Sequence, residues 1–368
     1  MKGVGKYVAK YLNDFQFGVG ISGGAEAILH SANRLLSQRH GGGYLAMLTV
    51  DFSNAFNMVD MSALLHEARV RCPFISLWVE FLYGHEAKLY IGDVHIMSTI
   101  VGDSREAAKA LDIIRETGPK LGLTLNIRKT EIFWPSCDGS KLREGWSPSD
   151  IGRSMLGVKL LGGAVSRDKA KIFFDIRTCQ PIHMEEASML FDKELRGAIE
   201  DIVVGGCPNF EDLQWRVASL SIRVARLGLY SVVEVASYAF VASRAHTWVL
   251  QDHILRDSGI YGMVSDFDIA LNSLCNMLTT YDFRSFTSKD TVLHKAQHAL
   301  ASDLLSKIVQ DMKVKFNMTT TQKAVFGYLQ ACHGQDFLLT IPIDGTTYVT
   351  DGVPHYSHIQ PHDSIISY

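Results

Sequence analysis

The segment from Tyr44 to Asp51 constrains the fold of this chain more than any other part of the sequence. Three glycines, Gly41 to Gly43, precede it, and a largely apolar run then ends at Asp51. A short apolar run after a break is typical of a buried β-strand. The strand would bring Asp51 to the end of a sheet, where a carboxylate either caps a following helix or holds a hard cation such as Mg²⁺.

The residues before position 170 alternate between helical and extended patterns. Helical spacing of apolar residues predicts helices over 23–38, 61–70, 74–83 and 104–117. Ser104 is the predicted N-cap of the last of these. Extended patterns predict a hairpin over 88–95, a strand–turn–strand over 123–134 and a strand over 155–161.

The rest of the chain is predicted to be helical. Apolar periodicity indicates helices over 183–203, 211–226, 229–256, 290–313 and 320–332. The predicted fold class is therefore α+β. The expected domains are 1–165, an α-helical region over 166–343, and a poorly ordered tail over 344–368 that is rich in Gly, Thr, Ser, His and Pro.

Composition restricts the function classes. The chain has 36 basic and 39 acidic residues and a net charge of −3, which argues against strong binding of nucleic acid. No apolar run reaches the length of a membrane span, and the N-terminus lacks the pattern of a secretory signal. The six cysteines are scattered without a zinc-ligand spacing, so we expect reduced thiols in a soluble intracellular protein.

Two motifs carry a specific pattern. The string V-D-F-S-N-A-F-N-M-V occupies 50–59, and G-L-T-L-N-I-R-K-T-E occupies 122–131. A Q-F-G string at 16–18 precedes them, and an L-G pair at 156–157 follows. In this order the motifs resemble those of the reverse transcriptases of non-LTR (LINE-type) retrotransposons.

The resemblance implies a fold and a set of roles. It implies a truncated reverse-transcriptase palm and fingers, followed by an all-α thumb-like region. Asp51 would be a catalytic carboxylate that binds Mg²⁺, with the backbone of Phe52 beside the incoming nucleotide and Phe56 excluding a ribose 2′-hydroxyl. Asn126 would belong to the nucleotide-binding residues. Lys129 would lie near the phosphates, where it could neutralise charge or protonate pyrophosphate. The implied partners are an RNA template, a DNA primer and a dNTP.

Part of the expected pattern is missing between the two motifs. The family carries a Gln-Gly-x-Pro segment and an aromatic-x-Asp-Asp hairpin there, but this chain runs from Ser98 directly into Thr99. Two-metal nucleotidyl transfer needs a second carboxylate beside Asp51. We therefore expect an internally deleted, catalytically inactive chain with a disturbed sheet. Asp93 and Asp103 are interpreted as a turn residue and a helix cap.

Three alternatives compete with this interpretation. The first is a non-catalytic remnant that binds RNA or protein, and the second is a decayed product without a selected function. The third is a serine hydrolase, because Gly20 to Gly24 fits G-x-S-x-G around Ser22 and His40 to Gly43 fits an H-G-G-G oxyanion loop. The order of these two strings is the reverse of that in α/β-hydrolases, which argues against the hydrolase.

Overall fold

The fold contains two compact units that interleave along the chain. The computed structural model describes residues 11–12, 16–17, 21–39, 45–84, 96–135, 149–166, 176–204, 211–220, 228–260, 265–287, 293 and 295–328. The first unit comprises Met1–Met184, Ser243–Asp268 and Lys289–Val292. The second comprises Glu185–Ala242, Ile269–Ser288 and Leu293–Tyr368. The domain boundaries expected from the sequence stay predictions.

The first unit is built on a mixed sheet around one central strand. Strand β1 (Leu45–Ser53) pairs antiparallel with β2 (Ile96–Asp103) on one side. On its other side it pairs antiparallel with β3 (Thr124–Leu125) and β4 (Glu131–Phe133). Strand β5 (Gly152–Ser154) then runs parallel to β4. Strands β6 (Gly157–Leu160) and β7 (Gly163–Ser166) form a separate hairpin. Mixed α and β structure agrees with the predicted class.

The helices of the first unit follow the predicted positions closely. They are α1 (Gly24–Arg39), the short α2 (Ala55–Met58), α3 (Met61–Arg71), α4 (Pro73–Tyr83) and α5 (Ser104–Thr117). The prediction that Ser104 is the N-cap of α5 is wrong, whereas the interpretation of Asp103 as a helix cap is confirmed. Asp103 is the N-cap, because its carboxylate accepts a hydrogen bond of 2.8 Å from the amide of Arg105, whereas Ser104 is buried in the first turn.

The two faces of the sheet pack against different partners. Successive side chains of a strand point to opposite faces. On one face, Ala46, Leu48 and Val50 pack with Ala107 and Leu111 of α5. On the other face, the side chains of β1 pack with α1 and the β6–β7 hairpin in a cluster that includes Leu29, Leu36, Leu45, Met47, Val158 and Val165. Both faces of β1 are therefore covered.

The predicted deletion point lies inside an uninterrupted strand. Ser98 pairs with Val50 and Thr99 pairs with Thr49, and all eight residues of β2 are in register with β1. The expected disturbance of the sheet is therefore not found at this junction. The sequence pattern did not indicate a strand over Ile96–Asp103. The hairpin predicted over 88–95 lies outside the described residues.

The rear of the chain is helical, as predicted, with differences at the breaks. The helices are α6 (Pro181–Val204), α7 (Asp212–Ala218), α8 (Val232–His246), α9 (Trp248–Leu255), α10 (Ser265–Met277), α11 (Arg284–Thr287), α12 (Ala296–Lys315) and α13 (Thr320–Tyr328). The helix predicted over 229–256 is two helices separated at Thr247, and α10 was not predicted. The 344–368 tail lies outside the described residues.

A core of the second unit is formed by apolar side chains from several of these segments. Leu220, Met312, Met318 and Phe326 are buried together. Leu213, Val217 and Ile308 pack against them. Within the described part of the chain, no helix is both long and apolar enough to cross a membrane.

Candidate functional site around Asp51

Asp51 lies near the end of the central strand and is almost fully buried. It is the seventh of the nine residues of β1, and 5% of its surface is exposed. The turn from Asn126 to Thr130 folds over it. The Asn126 backbone amide donates to the carbonyl oxygen of Asp51 at 2.8 Å, and the Asn126 side-chain amide donates to Oδ2 at 3.1 Å. The structure thus brings the two sequence motifs together.

Thr130 holds the same strand end from the other side of the turn. Its Oγ1 accepts a hydrogen bond of 3.2 Å from the Asp51 amide, and Thr130 is fully buried. The amides of Lys129 and Thr130 both donate to the carbonyl oxygen of Asn126, at 3.1 and 2.9 Å. These bonds close the turn and leave Lys129 at an exposed position. Sequence reasoning did not single out Thr130.

The two phenylalanines of the first motif have different positions. Phe52 is buried in the core that faces α5, and its backbone is paired with both Ile96 and Leu125. The backbone of Phe56 lies in α2, directly after the strand. The chain enters α2 through Asn54, whose φ of 47° is left-handed, a conformation that asparagine tolerates better than most residues. The Phe56 side chain lies outside the described residues.

A strand pairing and one amide define the described surroundings of Asp51. The residue whose backbone pairs with Asp51 on β2 is Met97. On the other side, Asn126 presents a donor rather than an oxygen ligand to the Asp51 carboxylate. Within the described residues, no cluster of three or more His, Cys, Asp or Glu side chains is placed to hold a metal. Asp51 is suited to contribute an oxygen ligand.

Asp103 is not placed beside Asp51. Asp103 pairs with Leu45, which is six residues from Asp51 along β1. At the rise of a strand this separation is about 20 Å. Asp103 also serves as the cap of α5. Asp93 lies outside the described residues.

Glu131 is a carboxylate on the same face of the sheet as Asp51. It pairs with Thr49, which lies two residues before Asp51, and residues two apart on a strand share a face. Glu131 is partly buried, and this burial raises the pKa of its carboxyl group above the ordinary value. The sequence motif contains Glu131, but spacing alone did not assign it a position relative to Asp51.

Ser22 lies in an exposed turn just before α1. Its Oγ is 3.4 Å from Nε2 of His246, which is at the outer limit of a hydrogen bond. The backbone of Gly23 lies close to the side chain of Thr247, since a Cβ on Gly23 would lie 2.7 Å from Cγ2 of Thr247. His246 is therefore a neighbour of Ser22 that the sequence did not reveal. The H-G-G-G string at 40–43 lies outside the described residues.

A second polar cluster lies behind the sheet and holds α1 against α9 and the end of α8. The guanidinium groups of Arg34 and Arg244 lie over the ring of Trp248, at 4.9 and 5.6 Å from its centroid. Arg34 also pairs with Asp252 at 2.8 Å. Burial, and secondly the nearby charge of Arg34, lowers the pKa of Arg244 to about 9. Because these groups are packed between helices, we interpret the cluster as structural.

Comparison with known proteins does not identify a family. No family model matches the chain. No curated protein matches it either. The resemblance to reverse transcriptases therefore rests on the motifs, their order and what their residues imply.

Proposed function

We propose that this chain derives from the reverse transcriptase of a non-LTR retrotransposon and that, as it stands, it does not catalyse nucleotide transfer. The contact between the two motifs supports the first half of the proposal. Asp51 and Asn126 are 75 residues apart in sequence, yet their side chains are joined by a hydrogen bond. The proposed ancestry accounts for this contact between two short strings that lie far apart in the sequence.

The register of β1 and β2 supports the second half of the proposal, which is the loss of catalysis. Met97 is paired with Asp51, and the junction between Ser98 and Thr99 follows one residue later. If the missing segment of the family ended just before Thr99, its last two residues would pair with Val50 and Asp51. A turn with two aspartates at that point would supply the missing carboxylate, and in this chain Met97 stands there instead.

The proposed roles follow from these positions. Asp51 would contribute an oxygen ligand to one Mg²⁺, and Lys129, exposed on the neighbouring turn, would attract the phosphates of a nucleotide. The backbone of Phe52 would lie beside the incoming nucleotide, and the ring of Phe56 would exclude a ribose 2′-hydroxyl. Asn126 would orient the Asp51 carboxylate. Mg²⁺ would stabilise charge on the transferred phosphate when bound. Loss of the second ion would remove several kcal/mol of this stabilisation, and each ~1.4 kcal/mol is tenfold in rate.

Primer extension tests the inactive state. The full chain is incubated with an RNA template, an annealed DNA primer, dNTPs and Mg²⁺, alongside the Asp51→Ala variant. We expect no extension above that of the variant. Extension by the wild type that Asp51→Ala abolishes would refute the proposed loss of activity.

A chimera tests the ancestry. A segment with the Gln-Gly-x-Pro and Asp-Asp motifs, taken from an active member of the family, is inserted between Ser98 and Thr99. Thr99 to Asp103 keep their pairing with Leu45 to Thr49, so the inserted turn is expected to lie beside Asp51. The chimera should extend a primer, and Asp51→Ala in the chimera should abolish extension. A folded chimera without activity would count against the proposed ancestry.

A second candidate function is non-catalytic RNA binding. Arg128 and Lys129 are adjacent and exposed on the turn over Asp51, which provides a local positive charge despite the net charge of −3. We expect weak RNA binding that decreases with salt, because phosphate contacts release counterions. The Arg128→Ala, Lys129→Ala double variant should lose it, whereas Asp51→Ala should retain it. Fluorescence anisotropy with a labelled RNA at several salt concentrations measures the salt dependence and compares the affinity of the two variants with that of the wild type.

A further inference from the structure

The second unit contains a cavity that the sequence did not indicate. Its volume is about 580 Å³, and it lies between α8, residues 295–308 at and within α12, and residues 219–220. This volume lies in the range of small-molecule binding sites. All the residues that line it belong to the second unit, so it is separate from the Asp51 site.

One end of the cavity is formed by the N-terminus of a long helix. Lys295 lines the cavity and is the N-cap of α12, with a left-handed φ of 62° and no capping hydrogen bond from its side chain. The first-turn amides of a helix have no partners within the helix, and the helix dipole makes this end attractive to anions. Gln297 and His298, in the first turn, also line the cavity.

A tyrosine side chain also lines the cavity. Tyr238 is 6% exposed as a residue, and it forms part of the cavity wall. Burial, with smaller contributions from Tyr230 and Glu234, raises the pKa of Tyr238 to about 12, so the hydroxyl is protonated and can donate at neutral pH. A tyrosine hydroxyl on the wall of a cavity can donate a hydrogen bond to a ligand held there. A ligand with an acceptor oxygen would accept this hydrogen bond.

The charges and apolar residues of the lining define the ligand further. Glu234 is neutralised by Arg216, at 2.5 Å, so among the lining residues Lys295 supplies the uncompensated charge, and a monoanion fits better than a dianion. The lining also contains apolar side chains, including Leu220, Leu304 and Ile308, beside the hydroxyl groups of Ser219, Ser231 and Ser302. We propose that this cavity binds a small amphipathic monocarboxylate, with oxygens that accept from Tyr238 and the first turn of α12 and an apolar body that packs on the leucines.

Calorimetric titration of the full chain with octanoate tests this proposal. We expect saturable binding with one site per chain. Octanol, which has the same apolar body and a neutral head, should bind at least about tenfold more weakly, since ionised groups form the stronger hydrogen bonds. Tyr238→Phe should weaken octanoate binding about five- to tenfold, the value of one neutral donor. Tyr281→Phe, in the aromatic cluster with Phe283 and Phe286, should leave binding unchanged.

A second variant separates binding from folding. Ala301 lies on the part of α12 that lines the cavity, so Ala301→Trp would fill the cavity while the Tyr238 hydroxyl is kept. It should abolish octanoate binding while the circular dichroism spectrum and the melting temperature show a folded protein. The proposal is overturned if folded wild-type protein shows no saturable octanoate binding, if Tyr238→Phe binds as tightly as wild type, or if octanol binds equally well.

Discussion

The side-chain amide of Asn126 donates a hydrogen bond of 3.1 Å to Oδ2 of Asp51, near the end of the central strand. The carboxylate is almost fully buried, and the backbone amide of the same asparagine donates to the Asp51 carbonyl oxygen. This pair joins the two motifs that the sequence presents far apart. It also accounts for the burial of a charged group, since a buried carboxylate requires hydrogen-bond donors.

A double-mutant cycle should show coupling between these two residues. Asn126→Ala removes the side-chain amide that donates to the buried carboxylate of Asp51, so we expect a loss of about 1.5–3 kcal/mol of unfolding free energy. Asp51→Ala combined with Asn126→Ala should lose less than the sum of the single variants, by about 1 kcal/mol. Urea unfolding of the four proteins measures this coupling. Additive effects would show that the hydrogen bond contributes nothing.

Thr130→Val should destabilise the protein although it preserves shape. The substitution removes the acceptor of the Asp51 amide and leaves that N–H buried, at a cost of about 1–3 kcal/mol. Thr117→Val is the matched control, because Thr117 is exposed at the end of α5. Surface changes of this kind usually alter stability by at most about 0.5 kcal/mol. Equal midpoints for both variants in thermal unfolding would contradict the assigned role of Thr130.

Gly122→Ala and Gly197→Ala should have opposite effects. Gly122 has a φ of 74°, and a Cβ there would lie 1.9 Å from the carbonyl oxygen of Met58, so alanine would displace the turn before β3. Gly197 lies within α6, where an added Cβ would meet no atom within 4 Å, so alanine should stabilise the helix by about 0.5–1 kcal/mol. Thermal unfolding compares the two. A Gly122→Ala protein as stable as wild type would contradict the close approach of this turn to Met58.

Stability should fall with rising pH because of Glu131. Its pKa is raised in the folded protein, so the folded state binds the proton more tightly than the unfolded state. The contribution of Glu131 is therefore most favourable below the unfolded pKa and is lost as pH rises through the raised, folded pKa. Glu131→Gln should remove this dependence and be more stable than wild type at neutral pH. Urea unfolding between about pH 4 and pH 8 tests this, and parallel profiles for the two proteins would contradict it.

Ser22 should not react with a fluorophosphonate probe above the level of Ser22→Ala. Its hydroxyl lies at the outer limit of hydrogen bonding to His246, in an exposed turn. An activated serine needs a base held firmly at about 2.6–3.2 Å, although that distance can be looser without substrate. Labelling is read by mass spectrometry on the peptide that contains Ser22. Stoichiometric labelling that His246→Ala abolishes would revive the hydrolase alternative.

Local patterns in the sequence were sufficient for most elements. The helix predicted over 104–117 has the bounds of α5, and the apolar run that ends at Asp51 is the central strand. Both predictions depend on spacing within one segment. The helix predicted over 229–256 failed at Thr247, where one helix ends and the next begins, because uninterrupted apolar spacing does not record a break between helices.

The sequence by itself determined that a buried strand carries Asp51 to its end and that a lysine-containing turn follows later in the chain. Only the tertiary structure decided that this turn folds onto Asp51, that Met97 pairs with Asp51, and that Ser22 lies beside His246. The physical reason is the range of the interactions. Apolar periodicity arises within a few neighbouring residues, whereas strand register and side-chain contacts depend on how distant segments pack together.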